Sequence, residues 1–269
     1  MILDEILEHK RQEVQERKSR LPVAELIAQA QDQSAARDFR AAITRDNGGI
    51  RLIAEMKKAS PSAGLIRDDF SPDELAAECE QAGAAAISVL TDERFFQGHL
   101  DYLEAVKKRV EVPVLRKDFV IDDYQVFESR AAGADALLLI ARALTAPDLE
   151  RLRELASELG MSALVEVHSE HEVGMALSAG ADIVGINNRD LETFDVDRET
   201  TVRLHELLGE EKTVVSESGI SDRSDVKLLE RLGVDAVLVG EIIMRDRNVG
   251  AKVRELLGDP GEDMRNHQR

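Results

Sequence analysis

Four short stretches of this chain are versions of one another. They read QAGAAAISVL at 81–90, AAGADALLLI at 131–140, SAGADIVGI at 178–186 and RLGVDAVLV at 231–239. In each, a helical pattern stops at a glycine. A small or β-branched residue follows, usually then an aspartate, and an apolar run begins. Glycine suits the position just past a helix end, where a left-handed backbone is costly for other residues. The joints recur about every fifty residues, the spacing of two βα units in a closed barrel of about 250 residues. A chain built this way is constrained to parallel strands covered by helices, with the joints entering every second strand.

The rest of the chain fits that frame. Apolar runs predict strands over 51–57, 85–90, 112–116, 136–140, 163–167, 183–186, 213–216 and 236–239. Helical periodicity fills the gaps, over 71–83, 100–109, 123–132, 146–159, a segment reaching 179, then 197–208, 224–232 and a last helix ending near 257. Ser71-Pro72-Asp73-Glu74 is a well-formed helix start, with a capping residue, proline in the first turn and early acids. Two helices, 2–19 and 23–31, precede the first strand, and 38–49 reads as a connector ending in Asn-Gly-Gly. No Gly/Ser/Pro-rich linker divides the 269 residues, of which 43% are hydrophobic. The expected fold is therefore α/β: one (β/α)8 TIM barrel over 1–257 with an N-terminal helical extension over about 1–49. A polar tail, 258–269, is expected to be disordered.

The odd strands differ from the joint-bearing ones at their far ends. The first closes with Glu55 and Lys57, followed by Lys58 and a loop of Ser60, Pro61, Ser62 and Gly64. The third ends at Lys117, the fifth at Glu166 and the seventh at Glu217. Inward residues of alternate strands share a layer in such a barrel, so these acids and bases should converge on one ring at its mouth. Solvated strand ends are the bland explanation, but the same position on four strands favours a site. There a lysine beside another cation loses basicity, a glutamate in a partly apolar pocket gains it, and the pair can exchange protons without a metal. The sixth strand adds Asn187, Asn188, Arg189 and Asp190. Arg189 offers a planar fork for a carboxylate or phosphate, while Asn188 and Asp190 fit turn hydrogen bonding as well as function. Ser218-Gly219 after the seventh strand and Gly240-Glu241 after the eighth sit where barrels bind phosphate through backbone N–H groups.

Taken together, ILDEILEHKRQEV, IAEMKKASPSAG, VLRKDFVIDDYQ, LVEVH, GINNRDL, SESGI and VGEIIM make the chain resemble the indole-3-glycerol phosphate synthases over about residues 1–257. The resemblance implies closure of the indole ring, decarboxylation and dehydration of 1-(o-carboxyphenylamino)-1-deoxyribulose 5-phosphate in tryptophan biosynthesis, with no cofactor and no metal. It implies Lys117 as general acid for ring closure and Glu166 as acid/base partner in dehydration. Glu55 would join their hydrogen-bond network and Lys57 would hold an anionic group of the substrate. Asn187, Arg189 and Glu217 would orient the anthranilate part and the sugar hydroxyls, with Ser60 and Phe119 as pocket walls. Ser218, Gly219, Gly240 and Glu241 would form the phosphate loop. Some members carry serine where Glu241 stands. A carboxylate repels phosphate, so only the Glu241 backbone N–H should face the ligand. The alternatives are an enzyme like phosphoribosylanthranilate isomerase, whose acid–base pair uses a cysteine, and a non-catalytic phosphate-binding barrel.

The lone cysteine, Cys79, lies in a helical pattern and reads as a small buried residue. The six histidines show no metal-ligand spacing, and His168 and His171 read as surface residues. No apolar run is long enough to span a bilayer and the charged N-terminus is no signal peptide, which points to the cytoplasm. A net charge of -18 argues against nucleic-acid and anionic-membrane partners. The expected partner is a phosphorylated small molecule, and the expected state a monomer or weak homo-oligomer. With arginine outnumbering lysine, the acidic balance points to a high-salt environment, an acidic mesophile being the alternative. If repulsion among these charges limits stability, the melting temperature should climb clearly between low salt and molar KCl as screening increases. A flat response would mark the charge as incidental.

Overall fold

The computed structural model describes residues 2–45, 49–190 and 193–258. The expected disordered tail lies outside the described residues except for Gly258, which closes the last helix in a left-handed conformation. Eight parallel strands close into a barrel: β1 (Arg51–Met56), β2 (Ala86–Leu90), β3 (Val114–Lys117), β4 (Ala136–Ile140), β5 (Ser162–Val167), β6 (Ile183–Asn187), β7 (Thr213–Glu217) and β8 (Ala236–Val239). Neighbours in sequence are neighbours in the barrel, and β1 seals it by pairing with both β2 and β8.

The repeated joints work as their residues suggest. Gly83, Gly133, Gly180 and Gly233 all have positive φ. Two of the aspartates do more than turn the chain. Asp135 accepts the Val114 N–H and Asp235 the Val214 N–H, each at 2.8 Å. Each thus satisfies a backbone donor near the start of the preceding strand that the ladder leaves unpaired.

Several strands run further toward the mouth than their apolar runs suggest. β3 begins at Val114 and continues through Lys117, β6 reaches Asn187, and β7 reaches Glu217. The ladder explains this, since Leu90 pairs with Lys117, Ile140 with Glu166, and Asn187 with Glu217. Polar residues here remain in the sheet, so their side chains point from rigid backbone rather than from loops.

The N-terminal extension spans the barrel from end to end. Helix α1 (Ile2–Arg20) lies at the mouth, where fully buried Lys10 reaches Asp92 after β2 and Asp118 after β3, both at 2.9 Å. Helix α2 (Val23–Gln31) runs beside the helix Asp123–Ala131. The segment read as a connector is in part a helix, α3 (Phe39–Ile43), capped by Asp38 and with both Phe39 and Ile43 fully buried. It closes the opposite end, because Arg40 and Thr44 bond Thr213 at the start of β7 and the Arg45 N–H bonds Asp235 before β8. Two apolar residues four apart make one helical turn, too short a pattern to distinguish from a loop by periodicity. The Asn47-Gly48 pair that ends this segment lies outside the described residues.

Candidate active site

The inward face of each odd strand alternates with period two. Ile53, Leu115, Leu164 and Val215 belong to one buried apolar cluster inside the barrel. Two residues further on, the same faces carry Glu55, Lys117, Glu166 and Glu217. The expected ring therefore exists, as a charged layer directly above an apolar one. Lys117 Nζ lies 2.8 Å from Glu166 Oε2 and 2.8 Å from Glu217 Oε2. Lys57 Nζ lies 2.5 Å from Glu55 Oε1. Two glycines make room for the carboxylates. A Cβ on Gly185 would stand 2.3 Å from Glu217 Oε1, and one on Gly240 would stand 2.4 Å from Glu55 Oε1. Neither neighbouring strand tolerates a side chain there without moving an acid.

The layer opens into a cavity of about 530 Å³. Its lining combines two chemistries. Leu90, Phe96, Phe119, Leu138 and Ile140 supply apolar surface, with the Phe96 and Phe119 rings 6.1 Å apart. The charged ring, Asn187, Arg189 and the turn Ser218-Gly219 supply the polar part. Ser218 and Gly219 are both left-handed, with φ of 65° and 76°. For serine that conformation is strained, a cost commonly met at ligand clamps. The Ser218 carbonyl is pinned by the Asn188 side chain, which also bonds Ser216 and Thr201. Asn188 is therefore structural, and Asp190 pairs with Arg142. Arg189 donates to the Phe194 carbonyl, and its own N–H is held by Asn187. Glu241 turns its carboxylate onto Arg245 at 3.0 Å, in the short helix Glu241–Arg245 that Gly240 precedes.

The expected residues gather at one mouth, with one exception. Ser60 sits in a small hairpin, Ala59–Ser60 against Gly64–Leu65, where its hydroxyl accepts the Ala63 N–H. Pro61 and Ser62 line the cavity and Ser60 does not. Two lining residues have weaker sequence signals. Phe96 is one of two adjacent phenylalanines in a chain with only 3% aromatics, a signal that could have been used. Arg198, which packs against Gly219 and bonds Asp225 and Ser221, carried none. Nor is His168 a surface residue, its side chain being 4% exposed. It stands two residues beyond Glu166, and period-two counting would have placed it beside the site.

The electrostatics correct one expectation. Lys117 does not lose basicity. Burial disfavours its charge, but Glu166, Glu217 and Glu55 outweigh burial and push its pKa well above the usual lysine range. Lys57 is paired with Glu55. One lysine between two buried carboxylates cannot hold both equally ionised. Lys117 and His168 offset the burial of Glu166 and hold it below the usual carboxylate range. Burial and the neighbouring Glu166 charge push Glu217 up to about 7 against the pull of Lys117. Its Oε1 is buried without a hydrogen-bond partner.

Comparison with known proteins identifies the family. The profile of the family described as indole-3-glycerol phosphate synthase matches residues 3–256. The indole-3-glycerol phosphate synthase of Alkaliphilus metalliredigens is 48% identical over 256 residues, covering 95% of this chain and 98% of that protein. That of Chloroherpeton thalassium is 50% identical over 251 residues, covering 93% and 96%. Among solved structures, thiamine phosphate pyrophosphorylase from Pyrococcus furiosus superposes with a TM-score of 0.61 at 18% identity, covering 84% of this chain and 98% of that one, and shares the fold.

A carboxyl whose folded pKa is raised favours the folded state at low pH and loses that contribution as pH rises through the folded value. For Glu217 the window runs from the ordinary carboxylate value to about 7. Glu217→Gln removes the titration and stays neutral. The melting temperature of the variant relative to the parent should rise between pH 5 and pH 8. An offset independent of pH would mean that Glu217 is ionised throughout.

Proposed function

We propose that this chain, which belongs to the indole-3-glycerol phosphate synthase family, closes the indole ring of 1-(o-carboxyphenylamino)-1-deoxyribulose 5-phosphate at the mouth of its barrel. The observation that carries the reading is Lys117 held between Glu166 and Glu217 at 2.8 Å on the floor of a half-apolar cavity. The apolar surface, with Phe96 and Phe119, takes the anthranilate ring. Lys57 and Arg189 take the anionic groups and keep the flexible sugar chain folded toward the ring. The turn Ser218-Gly219 and the Gly240-Glu241 start of the short helix offer backbone N–H groups to the phosphate. Because the Glu241 carboxylate is bound to Arg245, its backbone alone serves the ligand.

The chemistry is three linked steps. The ring carbon bearing the carboxylate attacks the ribulose carbonyl, and Lys117 gives a proton to the carbonyl oxygen as the carbon–carbon bond forms. Loss of CO2 returns the electron pair to the ring. The new hydroxyl then leaves as water, which needs a proton delivered to that oxygen and another removed from the adjacent carbon. Glu166 serves this exchange, held by Lys117 and by an Asn187 hydrogen bond. Glu55 keeps Lys57 in place. A charged Lys117 arrives with its proton loaded, and substrate binding, which separates it from one carboxylate, makes that proton available.

An isomerase reading would need a thiol at a strand end. Cys79 is instead buried in the helix Pro72–Gln81, its pKa pushed up to about 12 by burial. No helix among the described residues is long and apolar enough to cross a membrane. We place the enzyme in the cytoplasm, acting on a small phosphorylated metabolite without nucleic acid, as a monomer or weak homo-oligomer.

The test is the appearance of indole-3-glycerol phosphate fluorescence with purified protein and three variants. General acid catalysis contributes about 10²–10⁴-fold, so Lys117→Ala should lower kcat by about that factor. Arginine keeps the charge but does not give up a proton, so Lys117→Arg should not restore turnover. Arg189→Ala should raise KM more than it lowers kcat, as expected for a contact made in ground and transition states alike. Near-normal kcat in Lys117→Arg would move the acid to Lys57.

A further inference from the structure

Glu166 is held on both oxygens. Lys117 takes Oε2. The other oxygen, Oε1, faces His168 Nε2 at 3.4 Å. Behind the imidazole the chain of charges continues through three elements. Glu172, on the helix Glu170–Ser178, lies 3.2 Å from His168 Nδ1 and accepts the His168 N–H at 2.8 Å. Arg142, in the turn after β4, donates from Nε to Glu172 at 3.2 Å and from Nη1 to Asp190 at 3.4 Å. The groups facing His168 are thus Glu166 on its own segment, Glu172 on the following helix, and Arg142 from the turn. Asp190 reaches it through Arg142 from the loop after β6.

The surroundings of the ring favour its doubly protonated form. Both imidazole nitrogens face carboxylate oxygens. A neutral imidazole carries one N–H and one lone pair, so one nitrogen would set its lone pair against a carboxylate. Only the imidazolium can donate in both directions. Nε2 is buried yet makes no hydrogen bond in the resting site.

We propose that His168 is a positioning residue for Glu166, an imidazolium anchored by Glu172 that keeps the Glu166 carboxylate ionised and aimed at the substrate. The inference rests on the assignment of Glu166 to proton exchange. Its work differs from that of Lys117. When Lys117 gives its proton to the substrate, the charge on the Oε2 side falls. His168 keeps a positive charge against Oε1 through that step, so Glu166 remains a base when the later proton must be taken. Burial lowers the basicity of the ring, but the Glu172 hydrogen bond and the two carboxylates outweigh it and raise it above the ordinary histidine value.

The experiment compares kcat and KM from about pH 3 to pH 9 for the parent, His168→Gln and Glu172→Gln, with Glu166→Gln beside them. Loss of the positive neighbour raises the basicity of Glu166, so the acid limb of kcat/KM should move up by about one pH unit in both new variants. Their kcat should fall about tenfold with KM within about twofold. A residue that served only packing would not move the limb. Profiles that superimpose on the parent, or a change confined to KM, would overturn the proposal. If His168→Gln does not fold, nitrogen NMR of the parent decides: both His168 ring nitrogens should carry protons at neutral pH, and a singly protonated ring there overturns the proposal. Glu166→Gln separates the two claims. Full turnover in it removes the assignment of Glu166 itself, whereas a dead Glu166→Gln beside an unaltered His168→Gln removes only the role of His168.

Discussion

One cation between two buried carboxylates is the interaction on which the rest of this structure depends. Lys117 is bonded to Glu166 and Glu217 at equal distances of 2.8 Å. A single positive charge cannot fully satisfy two buried acids, and the imbalance sets their protonation apart. One acid stays ionised, the other is poised near neutrality, and the lysine stays charged. Replacing the triad with apolar residues would make an ordinary barrel core, since the layer beneath already is one.

The scaffold is arranged around keeping that trio in place. Each member stands within the ladder at the mouth end of its strand, paired with a neighbouring strand, so the positions are set by sheet geometry rather than by loop conformation. Gly185 and Gly240 clear the space that the acids Glu217 and Glu55 occupy. The residues flanking Lys117 point the other way and are anchored outside the barrel. Arg116 is fully buried among Thr91, Asp118, Gln125, Glu128 and Ser129. Asp118 is shared with Lys10 of helix α1, and burial, which opposes its charge, is overcome by Lys10 and Arg116, so it stays ionised far below the usual range. The N-terminal helix is in this way tied to the residues on either side of Lys117. Removing one partner from a buried ion pair costs about 3–5 kcal/mol, so this clamp resists loosening.

Much of this was legible in the sequence because it rests on short-range rules. The glycine-to-strand joints announce the barrel, and the period-two face of the odd strands announces the ring. What escaped depended on three-dimensional context. Helix α3 has too few residues for a helical period, and its burial comes from closing the far end of a barrel that exists only once folded. The direction of the Lys117 shift depends on how closely Glu166, Glu217 and Glu55 approach one buried ammonium, and spacing in sequence does not show that. The resemblance implies Ser60 as a pocket wall, but in the two-residue hairpin its hydroxyl accepts the Ala63 N–H, and Pro61 and Ser62 line the cavity instead. His168 was within reach, since the alternation that found Glu166 continues two residues further. It was missed because a histidine after a strand is unremarkable until Glu166 and Glu172 are seen on either side of it.

The central claim is that Lys117 is a charged group locked between two acids in the free enzyme, and a direct measurement of its protonation tests it. Side-chain NMR of lysine Cε or Nζ nuclei, with Lys117 assigned by the signal lost in Lys117→Arg, reports the charge as pH is raised. Lysines exposed to solvent lose their protons around pH 10.4. The account predicts that Lys117 keeps its proton after those lysines have titrated. A Lys117 resonance that titrates at lower pH than the exposed lysines would contradict it.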